Sequence, residues 1–393
     1  MKKGLLVITI VVFLMSNLSF TVYGEENNQA APDSENLAEN AKSAILMERD
    51  TGKVIFNKNE HEQLSPASMT KIMTLLLIME AIDEGKLKLD ETIRVSERAA
   101  SMGGSQIFLE AGEEMSVNDL LKGVAVASGN DASVALAERV AGSEKSFVKR
   151  MNEKAKELNL KNTKFQNATG LPAEDHYSTA YDMSVMAKEL LKYETITNYT
   201  SIYEDYLRKG EDNEFWLVNT NRLVKFYPGV DGLKTGYTND AKYCLTATAE
   251  KEDMRVIAVV MGAGSTKDRN ADVTQMLDYA FNHFQTNKLF EKGDKITELN
   301  MLKAENNHLD VVASESISTL HKKGESMDKV TTEIKLHEDY TLPISKGDSI
   351  GELLVKNEGK IISRSDLTVE EDVEKASYLT LFKRTLQRMA KNE

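Results

Sequence analysis

The sequence predicts a mixed α/β (α+β) domain, then a small all-β domain, then a C-terminal amphipathic helix. Three observations carry this. Residues 117–192 are mostly helical in pattern, but strand-like runs flank them: "SAILMERDTGKVIFNKN" before, and "GLKTGYT", "AKYCLTATAE" and "MRVIAVVMGA" after. Beyond about residue 288 long helical periodicity stops, and short strand-like runs alternate with turns such as "HKKGES", "ISKGDS" and "VKNEGK". The tail "EKASYLTLFKRTLQRMAKNE" is helical again. With 393 residues, 41% apolar and 28% charged, the chain can build a sizeable core and two or three domains.

The elements follow in order. Residues 1–24 read as a signal peptide: Lys2 and Lys3 precede an apolar run too short to span a bilayer comfortably, and polar sequence leads to a cut near Gly24, with Ala30 or Ala31 as other sites. The rest of the chain is then exported. Residues 25–40 form a polar, acidic leader. The first domain, 41–285, opens with a hairpin around "DTG". The stretch "SPASMTKIMTLLLIMEAIDEG" reads as a helix, with Ser65 as N-cap, Pro66 in the first position and Gly85 at the stop. It is apolar on more than one face and therefore buried, yet it carries Lys71. A lysine there must be paired, reach out to water, or sit desolvated with its proton easily lost. Ser116 with Asp119, and Thr179 with Asp182, read as capping boxes, and "NADVTQMLDYAFNHF" as a closing amphipathic helix. Residues 286–370 form the all-β domain and 371–393 the terminal helix, with Leu379, Phe382, Leu386 and Met389 on one stripe beside Lys375, Lys383, Arg384, Arg388 and Lys391.

Composition excludes several chemistries. The net charge of -13 argues against a nucleic-acid partner. The one cysteine, Cys244, allows no intrachain disulfide and reads as a small core residue of a strand. There is no HExxH, GxSxG, P-loop or CxxC, and the six histidines show no metal spacing, so no metal and no organic cofactor is expected.

Three short motifs remain. Ser68-Met69-Thr70-Lys71 is an S-x-x-K that places serine and lysine one turn apart on a helix. The pattern recurs at Ser146/Lys149 and Ser326/Lys329, but in polar, lysine-rich surroundings. Ser128-Gly129-Asn130 is an S-x-N at a bend between two apolar helical runs; Ser34-Glu35-Asn36 also fits the pattern. Lys234-Thr235-Gly236 is the chain's one K-T-G, and it opens strand-like sequence in which Gly236 marks a close approach of another backbone.

Taken in order, S-x-x-K, S-x-N and K-T-G, with "HYSTAYDM" and "GVDGLKTGYT", resemble the low-molecular-mass penicillin-binding proteins that act as serine D-alanyl-D-alanine carboxypeptidases, in particular a sporulation-type branch. The resemblance covers nearly the whole mature chain. It implies a serine penicillin-binding/β-lactamase-like transpeptidase fold, an all-β sandwich, and a helix that anchors the protein on the outer face of the cytoplasmic membrane. It implies peptidoglycan stem peptides as substrates and β-lactam antibiotics as acylating ligands. Ser68 would be the nucleophile and Lys71 its base, with Lys234 as the cation that helps to lower the lysine pKa. Ser128 would relay a proton to the leaving D-alanine, and Asn130 would hold the peptide. Lys234, Thr235 and Arg269 would face the substrate carboxylate, and the N–H groups of Ser68 and Tyr237 would form the oxyanion hole. Many relatives carry histidine at Tyr237, a departure that bears on specificity more than on activity because the position contributes a backbone group, and the Asp of the S-D-N form is Gly129 here, as carboxypeptidase relatives often show. On its sequence alone Arg269 reads equally as a surface residue at a helix start. A serine β-lactamase is the nearest rival, although no E-x-x-L-N segment is present; a non-catalytic cell-wall module is the rival of another class. Endopeptidase and transpeptidase use of the same site stays open.

Overall fold

The computed structural model describes residues 37–327, 329–337 and 340–391. The signal peptide, most of the leader and the Ser34–Asn36 match to S-x-N lie outside them. A five-stranded antiparallel sheet runs in the order Val54–Lys58, Ser43–Glu48, Met254–Ala263, Lys242–Lys251, Val230–Thr238. The opening hairpin thus docks beside the last strand of the sheet, and the helical centre lies between them in sequence.

Both faces of the sheet are covered, because side chains alternate along each strand. Ile257, Val259 and Met261 face the helical centre, against the helix Ala180–Leu190 with Met183, Met186 and Leu190, which in turn packs on the helix Lys71–Asp83. Their neighbours Val256, Ala258 and Val260 face the helix Thr266–His283 through Val273, Met276 and Leu277. The helix Lys71–Asp83 is buried on nearly all sides, as its composition requires. Gly85, at φ +70°, ends it, with Lys86 N–H donating back to Ala81 O.

The start of this helix differs from the sequence expectation. Ser65 does not cap it, and Pro66 is not its first residue. Residues Ala67–Thr70 form a tight 3-10 turn with Pro66 at its N-cap, and Met69 N–H donates to Pro66 O. Ala67, at φ +46°, bends the chain into that turn. Both expected N-caps are present, Ser116 Oγ accepting from Asp119 N–H and Thr179 Oγ1 from Asp182 N–H, while the carboxylates accept elsewhere, Asp119 from Ser116 Oγ and Asp182 from Asn162 N–H and Thr163 Oγ1.

The all-β region has its own core around Val311, Ile317, Leu353, Val355 and Leu367. Its five-stranded sheet runs Lys295–Asn300, His308–Ala313, Lys360–Val369, Gly351–Asn357, Val330–Leu336, and a two-stranded sheet pairs Phe284–Phe290 with Ile317–Lys322. Ser318 Oγ donates to Asp50 Oδ2 at 2.6 Å, and Lys188 pairs with Glu315 at 3.5 Å, tying it to the first domain. The helix Tyr378–Lys391 closes the chain. Leu379, Phe382 and Leu386 are 82%, 65% and 51% exposed, so this stripe is not packed on the β region. The side chain of Met389 lies outside those described. Arg384 does not point outward as Lys383 does: its guanidinium donates to the carbonyls of Leu302, Ala304 and Glu305. Among the described residues no helix is long and apolar enough to cross a membrane.

Candidate active site

The 3-10 turn places Ser68 just ahead of the helix that begins at Lys71. Lys71 has no solvent exposure. Its Nζ lies 3.1 Å from Ser68 Oγ, 2.6 Å from Asn130 Oδ1 and 2.8 Å from Thr169 O. Burial, and then the charge of Lys234, hold its pKa well below the ordinary lysine value, against an opposing pull from Asp131. The other two S-x-x-K lysines are exposed and paired with carboxylates, Lys149 with Glu153 and Lys329 with Glu358.

Asn130 opens the helix Asn130–Ala141, directly after the bend. Its Nδ2 donates to Gly103 O at 2.7 Å, so both ends of the carboxamide are engaged within the protein. Ser128 sits at φ +63° in the bend, and its Oγ is buried with no hydrogen-bond partner among the described residues. Asp131 holds the loop before it, accepting from Ile107 and Leu109 N–H.

The K-T-G strand Val230–Thr238 is the edge of the sheet and lies against the serine turn. Gly236 is required there: a Cβ would meet Pro66 O at 2.7 Å and Ala67 Cβ at 3.2 Å. Lys234 is buried, with Nζ 3.2 Å from Thr235 O. Burial and the nearby Arg269 push its pKa down to about 7. Arg269 is not a surface residue. It is 4% exposed, bonds Asn270 Oδ1 and has its pKa lowered by burial to about 10. Thr235 Oγ1 donates to Thr220 Oγ1 at 2.7 Å. Tyr237 is half exposed, its ring 4.6 Å from that of Tyr243. The fold therefore gathers Ser68, Lys71 and Asn130 through direct contacts, and brings Gly236 against the serine turn and Arg269 beside Lys234.

A family model described as D-alanyl-D-alanine carboxypeptidase matches residues 27–265, and one described as penicillin-binding protein 5, C-terminal domain, matches residues 284–375. The chain belongs to the S11 peptidases, the D-alanyl-D-alanine carboxypeptidases. Among these carboxypeptidases it is 59% identical over 350 residues to DacF of Bacillus subtilis, covering 89% of this chain and 90% of the relative. It is 34% identical to DacC of Escherichia coli, over 91% of this chain and 89% of that one. Penicillin-binding protein 5 of Haemophilus influenzae superposes with a TM-score of 0.66 at 31% identity, over 85% of this chain and 98% of that chain. The chain is thus a penicillin-binding carboxypeptidase acting on peptidoglycan, work that lies outside the cytoplasm.

Sequence reasoning missed the segment 165–171, which supplies Thr169 O, and His176, which steadies it. The segment's one local signal is the turn chemistry of "NATG", which says nothing of what the loop touches, and "HYSTAYDM" carries His176 without showing its partners. His176 Nδ1 accepts from Gln166 N–H at 3.1 Å, so Nε2 carries the proton and donates to Thr70 Oγ1 at 2.8 Å. Burial lowers its pKa from 6.5 to about 4. Between those values the unfolded chain takes up a proton that the folded one refuses, so stability falls as pH drops through that window, by up to roughly 3 kcal/mol. Denaturation at pH 7 and pH 4.5 checks this. His176→Gln should lose less stability over that interval than the parent; equal losses would assign the acid sensitivity to other groups.

Proposed function

We propose that Ser68 is the nucleophile and Lys71 the base that removes its proton, in release of the terminal D-alanine from stem peptides ending in D-Ala-D-Ala. The observation that carries this is the bonding of Lys71. A neutral amine has two hydrogens and one lone pair. Asn130 Oδ1 and Thr169 O are placed to take the hydrogens, which leaves the lone pair for Ser68 Oγ. The proton of Ser68 passes to Lys71 as Oγ attacks the penultimate D-alanyl carbonyl. The N–H groups of Ser68 and Tyr237 receive the oxyanion, which the closeness of Gly236 to the serine turn supports. A proton passes through Ser128, whose hydroxyl is free for the purpose, to the departing amine, and the C–N bond breaks. Water then hydrolyses the Ser68 ester. β-Lactams acylate the same oxygen.

Lys234, Thr235 and Arg269 receive the substrate carboxylate. With a pKa near 7, Lys234 is only part charged when the cleft is empty. A bound carboxylate favours its charged form. Asn130 orients Lys71, which it contacts, and its remaining hydrogen-bonding capacity holds the peptide side of the substrate. The non-catalytic reading does not need this buried pair, and the β-lactamase reading lacks a deacylating glutamate segment. The same reading divides the chain at 41–285, 286–370 and 371–393, with the protein exported and in a sporulation role.

With a pentapeptide ending in D-Ala-D-Ala, the protein should release D-alanine, and Ser68→Ala should abolish both this release and labelling by a fluorescent penicillin. Lys71→Ala should slow acylation by about 10²–10⁴-fold, the usual weight of a general base, while Lys149→Ala and Lys329→Ala leave it unchanged. Persistent labelling of Ser68→Ala would place the nucleophile elsewhere.

The exposed stripe Leu379, Phe382 and Leu386, beside a basic cluster on an acidic protein, supports binding of the tail to an anionic membrane surface. A signal-less form ending at Thr368 should keep carboxypeptidase activity and lose flotation with anionic liposomes. The form with the tail should float, less so as salt rises. Equal behaviour of the two forms would exclude the tail as anchor.

A further inference from the structure

The segment 165–171, "FQNATGL", is fastened to the serine turn and its helix at four places. His176 links Gln166 N–H to Thr70. Ala168 O accepts from Thr74 Oγ1 at 2.7 Å, and Thr169 O accepts from Lys71 Nζ at 2.8 Å. Gly170, at φ +84°, lies so close to the turn that a Cβ would stand 1.8 Å from Ala67 O and 2.9 Å from Ser68 N. Asn152 and His176 hold its start at Phe165 and Gln166, and one side chain of the segment itself shapes residues 169–171. Asn167 Oδ1 accepts from Thr169 N–H at 3.1 Å, Thr169 Oγ1 at 3.1 Å and Gly170 N–H at 2.7 Å. Its Nδ2 donates to Leu171 O at 2.9 Å.

We propose that Asn167 is a positioning residue for the serine–lysine pair: it fixes the Thr169 carbonyl that, together with Asn130, aims the Lys71 lone pair at Ser68. Asn167 itself touches neither Lys71 nor Ser68 through any of these bonds. It acts through the backbone of Thr169 and Gly170. If the Thr169 carbonyl turns away, the amine keeps one acceptor and is free to rotate a hydrogen toward Ser68 Oγ. The base is then present but misdirected. Misplacement on the scale of an ångström costs about 10²-fold in rate. The inference rests on Lys71 being the base.

Acylation by a fluorescent penicillin, followed by stopped flow on the mature full-length chain, tests it. Asn167→Ala should lower the saturated acylation rate at least about tenfold, with the affinity of the initial complex and the final labelling stoichiometry unchanged. A merely structural role would lower stoichiometry instead. Asn167→Asp keeps an acceptor for the same three donors and should return to within about threefold of the parent. Thr169→Val keeps the carbonyl but loses one of those donors, and should be slowed less than Asn167→Ala. Parental rates in Asn167→Ala, equal slowing in Asn167→Ala and Asn167→Asp, or slowing only in proportion to lost stoichiometry would each overturn the inference. Should Asn167→Ala fail to fold, a parental rate in Thr169→Val would do so. A slow Lys71→Ala beside an unaffected Asn167→Ala overturns this inference alone, whereas a fast Lys71→Ala overturns the base assignment and this inference with it.

Discussion

The amine of Lys71 has no solvent exposure, and three oxygens from separate parts of the chain surround it. Ser68 comes from its own turn, Asn130 from the bend after an apolar helix, and Thr169 from a loop about a hundred residues on. Burying an ammonium without compensation is costly, so a protein that keeps a lysine there must supply partners, let it lose its proton, or do both. Here both hold. The Asn130 and Thr169 oxygens satisfy its hydrogens, and burial with a neighbouring cation favours the neutral form.

That arrangement constrains the backbone around it. The serine turn is pressed between the K-T-G strand on one side and the 165–171 segment on the other. Gly236 and Gly170 are the two positions where any side chain would strike that turn. Ala67 adopts a left-handed conformation that a non-glycine residue takes up only where surrounding contacts hold it. The sheet, buried on both faces, keeps the strand and the turn in register. Lys234, with Arg269 beside it, is then a buried basic group near the Lys71 amine, and the charge of Lys234 favours the neutral form of that amine.

Much of this was legible in the sequence. The apolar character of residues 65–85 announced a buried helix, and the order of the three motifs singled out Ser68 from the other two S-x-x-K matches. The N-caps at Ser116 and Thr179 and the strands around Lys234 follow from local chemistry alone. What was not legible depends on contacts between distant segments. Nothing near Ser65 says that the helix starts as a 3-10 turn, because the strand that presses on Pro66 lies far along the chain. Arg269 sits at a helix start, where exposed residues are common, and only the packing of that helix on the sheet buries it. The engagement of Asn130 with Lys71, and the whole role of residues 165–171, arise from tertiary approach. The outward stripe of the tail was readable from spacing, but the capture of Arg384 by backbone carbonyls was not.

The most direct test of this account is the titration of Lys71 itself. Lysine labelled with ¹³C at Cε, with the Lys71 resonance assigned from Lys71→Arg, reports the charge of this amine as pH is raised. The account predicts that Lys71 loses its proton well below the ordinary lysine value of ~10.4, and that penicillin acylation rises over the same interval. A Lys71 that stays charged up to or beyond the ordinary value, in protein that is already fully reactive, would contradict it.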